Sequence, residues 1–394
     1  GAAWPPRQLR PSIRPAVSAL PLPRRAGPVL VFYISGHAFG HASRVIEVIN
    51  EVLALDPGAR IVVRTGAARW LFDVTVRGPF EFHACPCDTG VVQRDSLHLD
   101  IPATIARARA FMSGLDGLAR AEGAFLRAAG ATLVVGDIPP LAFAAAREAG
   151  LPAVALGNFT WDWIYGAYTD EIAAASELLP AIRRAYRGAT ATLRLPLWGG
   201  FEDWESPITD LPFIARHSRR EAADVRQILG LPDGTRVVLT SFGGLGIAGL
   251  SLATLSRLDG YTVIATGYGL GPQAPVPPNV RLLDDRGLYE RGLRYEDLVR
   301  ASDVVVTKPG YGIIAECLAN GAAMLYTSRG RFAEYDVLVA GLPAVLRSRF
   351  IGHGDLFGGR WQAHLDAVLA QAAPPEKPRT DGAVLAATFL LGLA

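Results

Sequence analysis

Short apolar runs alternate with segments of helical period along most of the chain. The apolar run 29–34 is followed by a segment that places Val45, Val48, Ile49 and Val52 on one helical face. Continuous apolar strands separated by helices are typical of a parallel sheet that helices cover on both faces. The pattern predicts further strands of the first half at 60–64, 132–136, 152–156 and 190–195.

The alternation stops at 196–218, which is rich in proline and glycine, and then starts again. The second half has apolar runs at 237–241, 261–266, 280–283, 303–307 and 322–327. We therefore predict an α/β fold with two Rossmann-like, doubly wound parallel-sheet domains facing a cleft. The predicted segments are a flexible basic leader at 1–27, domains at 28–200 and 219–372, a linker at 201–218 and a C-terminal tail helix at 373–394.

Composition excludes several classes of protein. Half of the 394 residues are hydrophobic and 19% are charged, which indicates a globular chain. The formal net charge of +2 gives no strong field for nucleic acid, so we predict no nucleic-acid partner. No apolar run reaches the ~20 residues of a membrane span, and we predict no transmembrane segment. Three scattered cysteines give no disulfide framework, which favours a reducing, cytoplasmic location.

The turn after the first strand reads Y-I-S-G-H-A-F-G-H, residues 33–41. Gly36 and Gly40 allow a tight turn at a carboxyl end of the sheet, where ligands bind. His37 and His41 match zinc helices poorly because no glutamate follows His37. We predict that His37 is a turn residue and that His41 is a catalytic base, kept neutral by the helix N-terminus. Asp137, after another buried strand, either orients His41 or caps the next helix.

Two glycine-rich turns in the second half favour phosphate binding. The first, T-S-F-G-G-L-G, follows a strand at 237–241 and can offer its backbone N–H groups to an anion. It also fits the dinucleotide fingerprint, but the next strand ends in A-T-G without the acid that NAD requires, and no Walker A loop occurs. The residues predicted to contact the phosphates here are Ser241, Gly243, Gly244 and Gly246.

The second of these turns, T-K-P-G-Y-G, leads from a buried strand into a helix at 312–320. Its helix N-terminus suits an anion, and Glu316 lies one turn further on, where a carboxylate can accept ribose hydroxyls. A solvated helix glutamate is the alternative interpretation. The residues predicted to hold the nucleotide here are Lys308, Gly310, Tyr311, Gly312 and Glu316.

These motifs resemble those of the two-domain GT-B glycosyltransferases, and of the peptidoglycan N-acetylglucosaminyltransferase group (family 28) in particular. The family's G-G-x-G-G-H loop is similar to G-H-A-F-G-H here, and its histidine falls on His41. Its diphosphate loop resembles 241–244, and its donor helix resembles 310–316, with Ile313 in place of threonine. A nearer resemblance is to the glycosyltransferase-like N-terminal region of plant L-arabinokinases, through D-T-G-V-V-Q (88–93), G-N-F-T-W-D-W-I-Y (157–165) and K-P-G-Y-G (308–312).

The resemblance implies an inverting, metal-independent transfer of a sugar from a UDP-sugar to a hydroxyl of a small-molecule or lipid-linked acceptor, with no cofactor. The absence of D-x-D from the sequence agrees with this chemistry. The family's donor-sugar motif falls on F-A-E-Y-D, residues 332–336, where Glu334 is the predicted donor contact. The residues predicted to bind the acceptor are Gly36, His37, Gln93, Asn158, Trp161 and Asp162. The aromatic cluster among the residues of this half suits either the face of a sugar or a hydrophobic core.

Two alternatives stay open from the sequence. A UDP-sugar 2-epimerase uses a related two-domain fold but would need further acids in the cleft. A nucleotide-sugar-binding or regulatory module without turnover is favoured by the altered segment 332–336.

Overall fold

Two parallel sheets form the framework of the molecule. The computed structural model describes residues 27–243, 247, 249–266 and 276–394, so the predicted leader lies outside the described residues except for Gly27. Every strand pairing in the two sheets is parallel, and helices connect most of the successive strands within the described ranges. The predicted fold of two Rossmann-like domains is therefore confirmed.

The first sheet has the strand order β3-β2-β1-β4-β5-β6-β7. Its central strand, V-L-V-F-Y-I, is buried along its whole length because helices cover both faces. Its strands are β1 (Val29–Ile34), β2 (Arg60–Thr65), β3 (Glu81–Ala84), β4 (Leu133–Asp137), β5 (Ala153–Phe159), β6 (Ala191–Gly199) and β7 (Ile208–Asp210). Its helices are α1 (Ala38–Leu55), α2 (Arg69–Thr75), α3 (Ile101–Ser113), α4 (Leu115–Ala128), α5 (Pro140–Ala149), α6 (Trp161–Gly166), α7 (Thr169–Ala173) and α8 (Leu178–Tyr186).

The second sheet has the order β10-β9-β8-β11-β12-β13. Its strands are β8 (Arg236–Ser241), β9 (Tyr261–Thr266), β10 (Val280–Leu283), β11 (Val304–Thr307), β12 (Ala323–Tyr326) and β13 (Ser348–Phe350). The helices of this half are α9 (Ala222–Ile228), α10 (Leu252–Leu255), α11 (Asp285–Glu290), α12 (Tyr295–Ala301), α13 (Tyr311–Asn320), α14 (Glu334–Val345), α15 (His353–Phe357), α16 (Gln362–Leu369) and α17 (Gly382–Leu393).

Three local features differ from the prediction. The sequence pattern predicts an irregular segment at 80–100, but this segment contributes β3, which pairs with β2 at the edge of the first sheet. The Ala-rich composition predicts one long helix across 101–129, which is divided at Gly114, since glycine is a poor helix former. The predicted linker contributes β7, which pairs with β6, so the first sheet extends into the segment 201–218.

The C-terminal helix ties the two halves together. The predicted tail helix is observed as α17, which packs against α1 of the first half. Its N-terminus is fixed at Gly382, whose N–H donates to the carbonyl of Phe213 at 3.0 Å. One continuous apolar core then contains residues of α1, α13 and α17. Within the described ranges, no helix combines the length and the apolar character needed to cross a membrane.

Strand register places the two central turns. In the first sheet Ile34 of β1 pairs with Asp137 of β4, so the acid lies beside the turn that follows β1. In the second sheet Thr307 of β11 pairs with Ser241 of β8, so the two glycine-rich turns are neighbours. Both sets therefore lie at the carboxyl ends of central strands, where open α/β sheets bind ligands.

Candidate active site

The turn after β1 leads directly into α1. The helix begins at Ala38, earlier than the predicted start at His41, and His37 is its N-cap residue. His41 therefore lies one turn inside the helix, four residues after His37 and on the same face. Both rings lie near Trp161, with ring centroids 6.2 Å and 6.4 Å from the indole.

His41 is held by a buried carboxylate. Its Nδ1 atom lies 2.9 Å from Oδ1 of Asp137, which is completely buried. Nη2 of Arg44, which only donates, also lies 3.1 Å from this Nδ1 and directs a hydrogen bond to the same Oδ1 of Asp137. Because a carboxylate only accepts, we assign the hydrogen of the neutral ring to Nδ1 from its shorter contact with Asp137, which leaves Nε2 as the basic nitrogen. The predicted pairing of a histidine with an orienting acid is therefore present in the geometry.

Arg44 supplies the positive charge that this acid requires. Its Nε donates to Oδ2 of Asp137 at 2.7 Å, and its Nη2 donates to Oδ1. Burial by itself would raise the pKa of Asp137, but the charges of Arg44 and His41 and their hydrogen bonds hold it below its usual value. Asp137 thus stays ionised inside the core and can orient His41.

The same arginine extends the network across the cleft. Its Nη1 donates to Oδ1 of Asn158 at 2.6 Å, and Nδ2 of Asn158 donates to Oε1 of Glu334 at 3.1 Å. Asn158 belongs to the first half, whereas Glu334 begins α14 of the second. One chain of hydrogen bonds therefore joins the base to the segment that was predicted to contact the donor sugar.

His37 is neutral and has an unsatisfied nitrogen. Its Nε2 is buried without a hydrogen-bond partner among the described residues. Burial, followed by the charges of His41, Arg329 and Lys308, lowers the pKa of His37 to about 3. Gly90, with φ of +56°, lies so close that a Cβ there would be 2.7 Å from the Cβ of His37. The His37 ring is therefore uncharged and lies packed against Gly90 beside the cleft.

The turn after β11 presents an open helix N-terminus opposite α1. Gly310 is the N-cap residue of α13, and it has no side chain to satisfy the first N–H groups of the helix. A Cβ at Gly312 would lie 3.8 Å from Cα of Gly40, so the starts of α1 and α13 face each other closely. A Cβ at Gly40 would meet no atom within 4 Å, so the approach leaves room between the two helix starts.

Glu316 lies one turn into α13 and is paired with Arg216. The Nε of Arg216 donates to Oε1 of Glu316 at 2.6 Å, and its Nη2 also contacts Oε1. Among the hydrogen bonds of the described residues, none reaches Oε2. Burial, opposed by Arg216 and reinforced by Glu296, raises the pKa of Glu316 to about 7. The carboxyl group therefore keeps one oxygen free beside the cavity.

Ser241 and Tyr295 complete this end of the site. The hydroxyls of Ser241 and Tyr295 lie 2.5 Å apart, and the guanidinium of Arg216 lies over the Tyr295 ring at 5.2 Å from its centroid. This end holds one arginine between two glutamates, since Glu296 lies 3.7 Å from Arg216.

Lys308 and Arg329 form a different, basic end. Arg329 is 6% exposed, lies 3.2 Å over the centroid of Phe332, and has an Nε without a hydrogen-bond partner among the described residues. Burial, opposed by Glu334, lowers the pKa of Arg329 to about 10. Burial and the charge of Arg329 hold the pKa of Lys308 well below its usual range.

These groups surround one cavity of about 240 Å³ between the two halves. Most of the residues predicted for the site line it. They are His37, His41, Asn158 and Trp161 from the first half and Ser241, Gly243, Lys308, Gly310, Tyr311, Gly312, Glu316 and Glu334 from the second.

Other predicted residues lie elsewhere. Gly36 and Gln93 line a neighbouring cavity of about 490 Å³ that shares His37 with the cleft. Asp162 points to the outer surface, where Oδ2 accepts from Nε of Arg183 at 2.9 Å. Asp137 lies behind His41 and does not line the cleft. Gly244 and Gly246 lie outside the described residues.

The sequence prediction missed four polar groups of the site. Arg44 had a signal, because it follows His41 by three residues and shares its helical face. Arg216 and Arg329 come from irregular segments whose position depends on long-range packing. Asp88 accepts a hydrogen bond through Oδ2 from Nε1 of Trp161 at 2.9 Å. It begins the D-T-G-V-V-Q motif (88–93), which indicated a resemblance to plant L-arabinokinases but no role for this acid.

Metal ligands were a further alternative for the two histidines. The part of the chain that the structure describes contains no group of three or more His, Cys, Asp or Glu side chains placed to hold a metal ion. Metal independence of the reaction stays a prediction.

Comparison with known proteins places this geometry in context. No protein-family model matches the chain. The sequence is 28% identical over 349 residues to L-arabinokinase of Arabidopsis thaliana, an alignment that covers 87% of this chain and 32% of that protein. The chain thus spans 32% of the length of this relative, and the predicted likeness to plant L-arabinokinase is confirmed.

Solved glycosyltransferases share the architecture. The glycotransferase of kitacinnamycin matches with a TM-score of 0.58 at 17% identity, covering 93% of this chain and 96% of that one. The calicheamicin glycosyltransferase CalG4 matches with a TM-score of 0.59 at 15% identity, covering 91% of this chain and 95% of that one. These likenesses show the fold, and the predicted GT-B architecture is confirmed.

Proposed function

We propose that the chain is a glycosyltransferase that moves a sugar from a nucleoside-diphosphate donor, a UDP-sugar, to an acceptor hydroxyl with inversion and without a metal ion. The observation that carries the proposal is the juxtaposition of two helix starts. His41 of α1, which is paired with Asp137 of β4, and the open N-terminus of α13 with Glu316 line one cavity from the two halves.

On the first half, His41 acts as the general base. Its Nδ1–H is fixed by Asp137, so Nε2 can take the proton from the acceptor hydroxyl as the oxygen attacks the anomeric carbon. The negative Asp137 stabilises the imidazolium that forms. Arg44 keeps Asp137 ionised, so the pair does not collapse into a neutral acid and a free histidine.

On the second half, the start of α13 receives the leaving diphosphate. The first N–H groups of the helix and its dipole favour negative charge, and Ser241 and Gly243 lie in the neighbouring turn. The free Oε2 of Glu316 suits a ribose hydroxyl. Donors fixed in this way stabilise charge as it develops on the leaving oxygens.

Inversion is supported by the opposed positions of the base and the diphosphate site. A base on one wall and a leaving group on the other fit a single in-line displacement, in which the acceptor attacks the face opposite the diphosphate. A retaining reaction through a covalent intermediate would need an unpaired nucleophile beside the sugar. The acids that line the described part of the cavity, Glu316 and Glu334, each accept a hydrogen bond through Oε1, which leaves neither as an unpaired nucleophile.

The same observation weighs against a 2-epimerase, which would need additional free acids in the cleft. A nucleotide-sugar-binding module without turnover differs from the proposal in its kinetics alone. The name of the relative L-arabinokinase makes L-arabinose a reasonable first acceptor to try, beside lipid-linked sugars, but kinase activity is not proposed for this chain.

Two measurements test the proposal. UDP at millimolar concentration should raise the melting temperature, and Glu316→Ala should reduce this shift, because the ribose contact is lost. If no nucleoside diphosphate changes the melting temperature, the donor site is wrongly assigned.

UDP release should then be followed with a panel of UDP-sugars and acceptors, with and without EDTA. We expect turnover to survive EDTA. Complete loss that Mn²⁺ or Zn²⁺ restores would contradict the metal-independent chemistry, and binding without turnover for every donor would favour the non-catalytic module.

A further inference from the structure

The cleft carries an uneven distribution of charge. At the end formed by Ser241 and Tyr295, Arg216 is matched by Glu316 and Glu296. At the other end Lys308 and Arg329 face the cavity, and no ion pair joins either cation to an acid of the described chain.

The basic end also contains unsatisfied nitrogen atoms. Nε of Arg329 and Nε2 of His37 are both buried without hydrogen-bond partners among the described residues. The nearby carboxylate, Glu334, accepts a hydrogen bond from Asn158 through Oε1. A buried, unpaired cation is costly, so this end of the cleft is built to receive an anion that the protein does not supply.

The position of these cations indicates which part of a ligand they meet. Arg329 lies over Phe332, and Phe332 packs in an apolar cluster of the first half, so the loop after β12 reaches the seam between the halves. The charges of Arg329 and Lys308 both act on His37, which shares a helical face with the base His41. Nη1 of Arg329 also donates to the carbonyl of Pro309 at 3.4 Å, directly before the N-cap residue of α13. The basic end therefore adjoins both the base and the start of α13, and Glu316 lies one turn further along that helix.

We propose that the basic end formed by Lys308, Arg329 and His37 binds a carboxylate on a sugar at the reacting centre, which makes the substrate class uronic acids. The inference rests on the proposed function, because the reacting centre is defined by His41 and the donor site. Hydroxyls of a neutral sugar would add no negative charge to this end, where Glu334 is the acid that opposes the burial of Lys308 and Arg329. The planar guanidinium of Arg329 suits a carboxylate, and His37 can donate one further hydrogen bond.

Such a carboxylate has two sources. The donor can be a UDP-uronate, or the acceptor can be an acidic sugar that lies beside His41. In both cases the cleft binds a carboxylate on a sugar. The two sources are distinguished by whether the donor or the acceptor binds more tightly when it carries the carboxylate.

A change of protonation should accompany binding. Without an anion, burial and Arg329 depress the pKa of Lys308. A carboxylate beside the amine would favour its charged form, so uronate binding should take up protons, and the amount should fall in Lys308→Met. Calorimetry in buffers of different ionisation enthalpy measures this uptake.

The test compares the affinities of UDP, UDP-glucose and UDP-glucuronate by calorimetry. We expect UDP-glucuronate to bind wild type roughly 10- to 100-fold more tightly than UDP-glucose, since charge-assisted hydrogen bonds contribute this much. Arg329→Met should remove most of the preference while the affinity for UDP changes by less than about threefold. Lys308→Met should weaken the binding of UDP-glucuronate by clearly more than it weakens the binding of UDP. Arg331→Met is the matched control, because Arg331 lies in the same loop with a side chain that is 54% exposed and pairs with Glu171.

A second arm titrates free glucuronate and free glucose into the UDP complex. A preference for glucuronate in this arm alone assigns the carboxylate to the acceptor. If Arg329→Met does not fold, as its melting curve would show, Lys308→Met carries the comparison by itself.

Three results have distinct meanings. Equal weakening of UDP and UDP-glucuronate in Lys308→Met would overturn the proposal, because the cations would then serve the diphosphate. No preference for a uronate in either arm would overturn it while UDP binding, and with it the proposed function, stands. Binding of free glucuronate without binding of UDP would instead refute the donor site and support the anion site.

Discussion

The turns after β1 and after β11 have the same local architecture and different contents. Each follows a central strand of a parallel sheet, contains glycines, and leads into a helix. In the first turn the polar groups are joined to one another, with Asp137 binding both His41 and Arg44. In the second the helix N-terminus is open, and Lys308 has no ion pair among the described residues. The comparison teaches that one supersecondary unit can fix a base or leave a place for an anion, according to its side chains.

The largest expected effect comes from removing the base of the first turn. His41→Ala should lower kcat by ~10²–10⁴-fold, because a positioned general base contributes this much. Asp137→Asn should lose less, and His37→Ala less still, since His37 has no orienting acid. Steady-state kinetics on the three variants measure the order. A dead His37→Ala beside an active His41→Ala would reverse the assignment.

Arg44→Met should strongly destabilise the first half. The change leaves Asp137 buried without its guanidinium partner, and breaking a buried pair in this way costs about 3–5 kcal/mol. Arg69→Met is the control, because the Arg69–Asp73 pair is exposed and such pairs contribute at most about 1 kcal/mol. Urea unfolding of the two variants gives the comparison, and equal stabilities would show that the buried network is not what holds the turn.

Glu316, in the helix that follows the second turn, should make the free energy of unfolding depend on pH in the opposite sense from an ordinary paired carboxylate. Burial raises the pKa of Glu316 from 4.5 to about 7, with Arg216 opposing and Glu296 and Glu47 adding to the shift. The folded state therefore binds more protons than the unfolded state in this window, and the contribution of Glu316 falls as pH rises from about 4.5 to 7.

Relative to wild type, Glu316→Gln should gain stability with rising pH, by up to ~1.4 kcal/mol per pH unit. Denaturant unfolding between pH 5 and 8 measures the difference. Glu148→Gln, at an exposed position, should run parallel to wild type. A Glu316→Gln curve that is also parallel would mean that Glu316 is already ionised throughout.

The smallest effect is expected at the hydrogen bond between Asn158 and Glu334, which joins the two halves across the cleft. Glu334→Ala removes the acceptor for Nδ2 of Asn158, and a single hydrogen bond contributes about 0.5–1.5 kcal/mol. KM for the donor should rise by roughly 2- to 10-fold. Glu334→Gln keeps an acceptor oxygen and should restore most of the affinity. A loss in Glu334→Gln as large as in Glu334→Ala would show that the charge of Glu334, rather than the hydrogen bond, matters.

The turn after β1 could be predicted from the sequence more completely than the hydrogen-bond network around it. The apolar run of β1 and the glycines after it indicated a strand and a ligand-binding turn, because strand period and backbone freedom are local properties. From its position at the end of a strand, Asp137 could either orient His41 or cap the next helix, so the pairing of the two residues was one of two interpretations. The position of Arg44 could also have been predicted, because helical spacing places it on the same face as His41.

Other parts of the site depend on long-range packing that no local pattern shows. Arg216 reaches Glu316 from the segment between the domains, and Arg329 reaches the cleft because Phe332 packs on the first half. Asp162 illustrates the converse. It follows Trp161 directly, but the helix turns its carboxylate to the surface, where it meets Arg183. Adjacent residues of a motif thus end on opposite sides of one helix.

The central claim is that the first half holds the base and the second half holds the nucleotide. Calorimetric titration of UDP into wild type, His41→Ala, Gly312→Asp and Gly312→Asn tests it most directly. A Cβ at Gly312 meets Gly40 only at 3.8 Å, so both side chains fit and differ mainly in charge. Like charges about 4 Å apart repel by ~4 kcal/mol at an effective dielectric constant of about 20. We expect UDP to bind wild type and His41→Ala alike, and Gly312→Asp at least roughly 10-fold more weakly than Gly312→Asn. Equal affinities of the Asp and Asn variants, or loss of UDP binding in His41→Ala, would contradict the division of labour between the two halves.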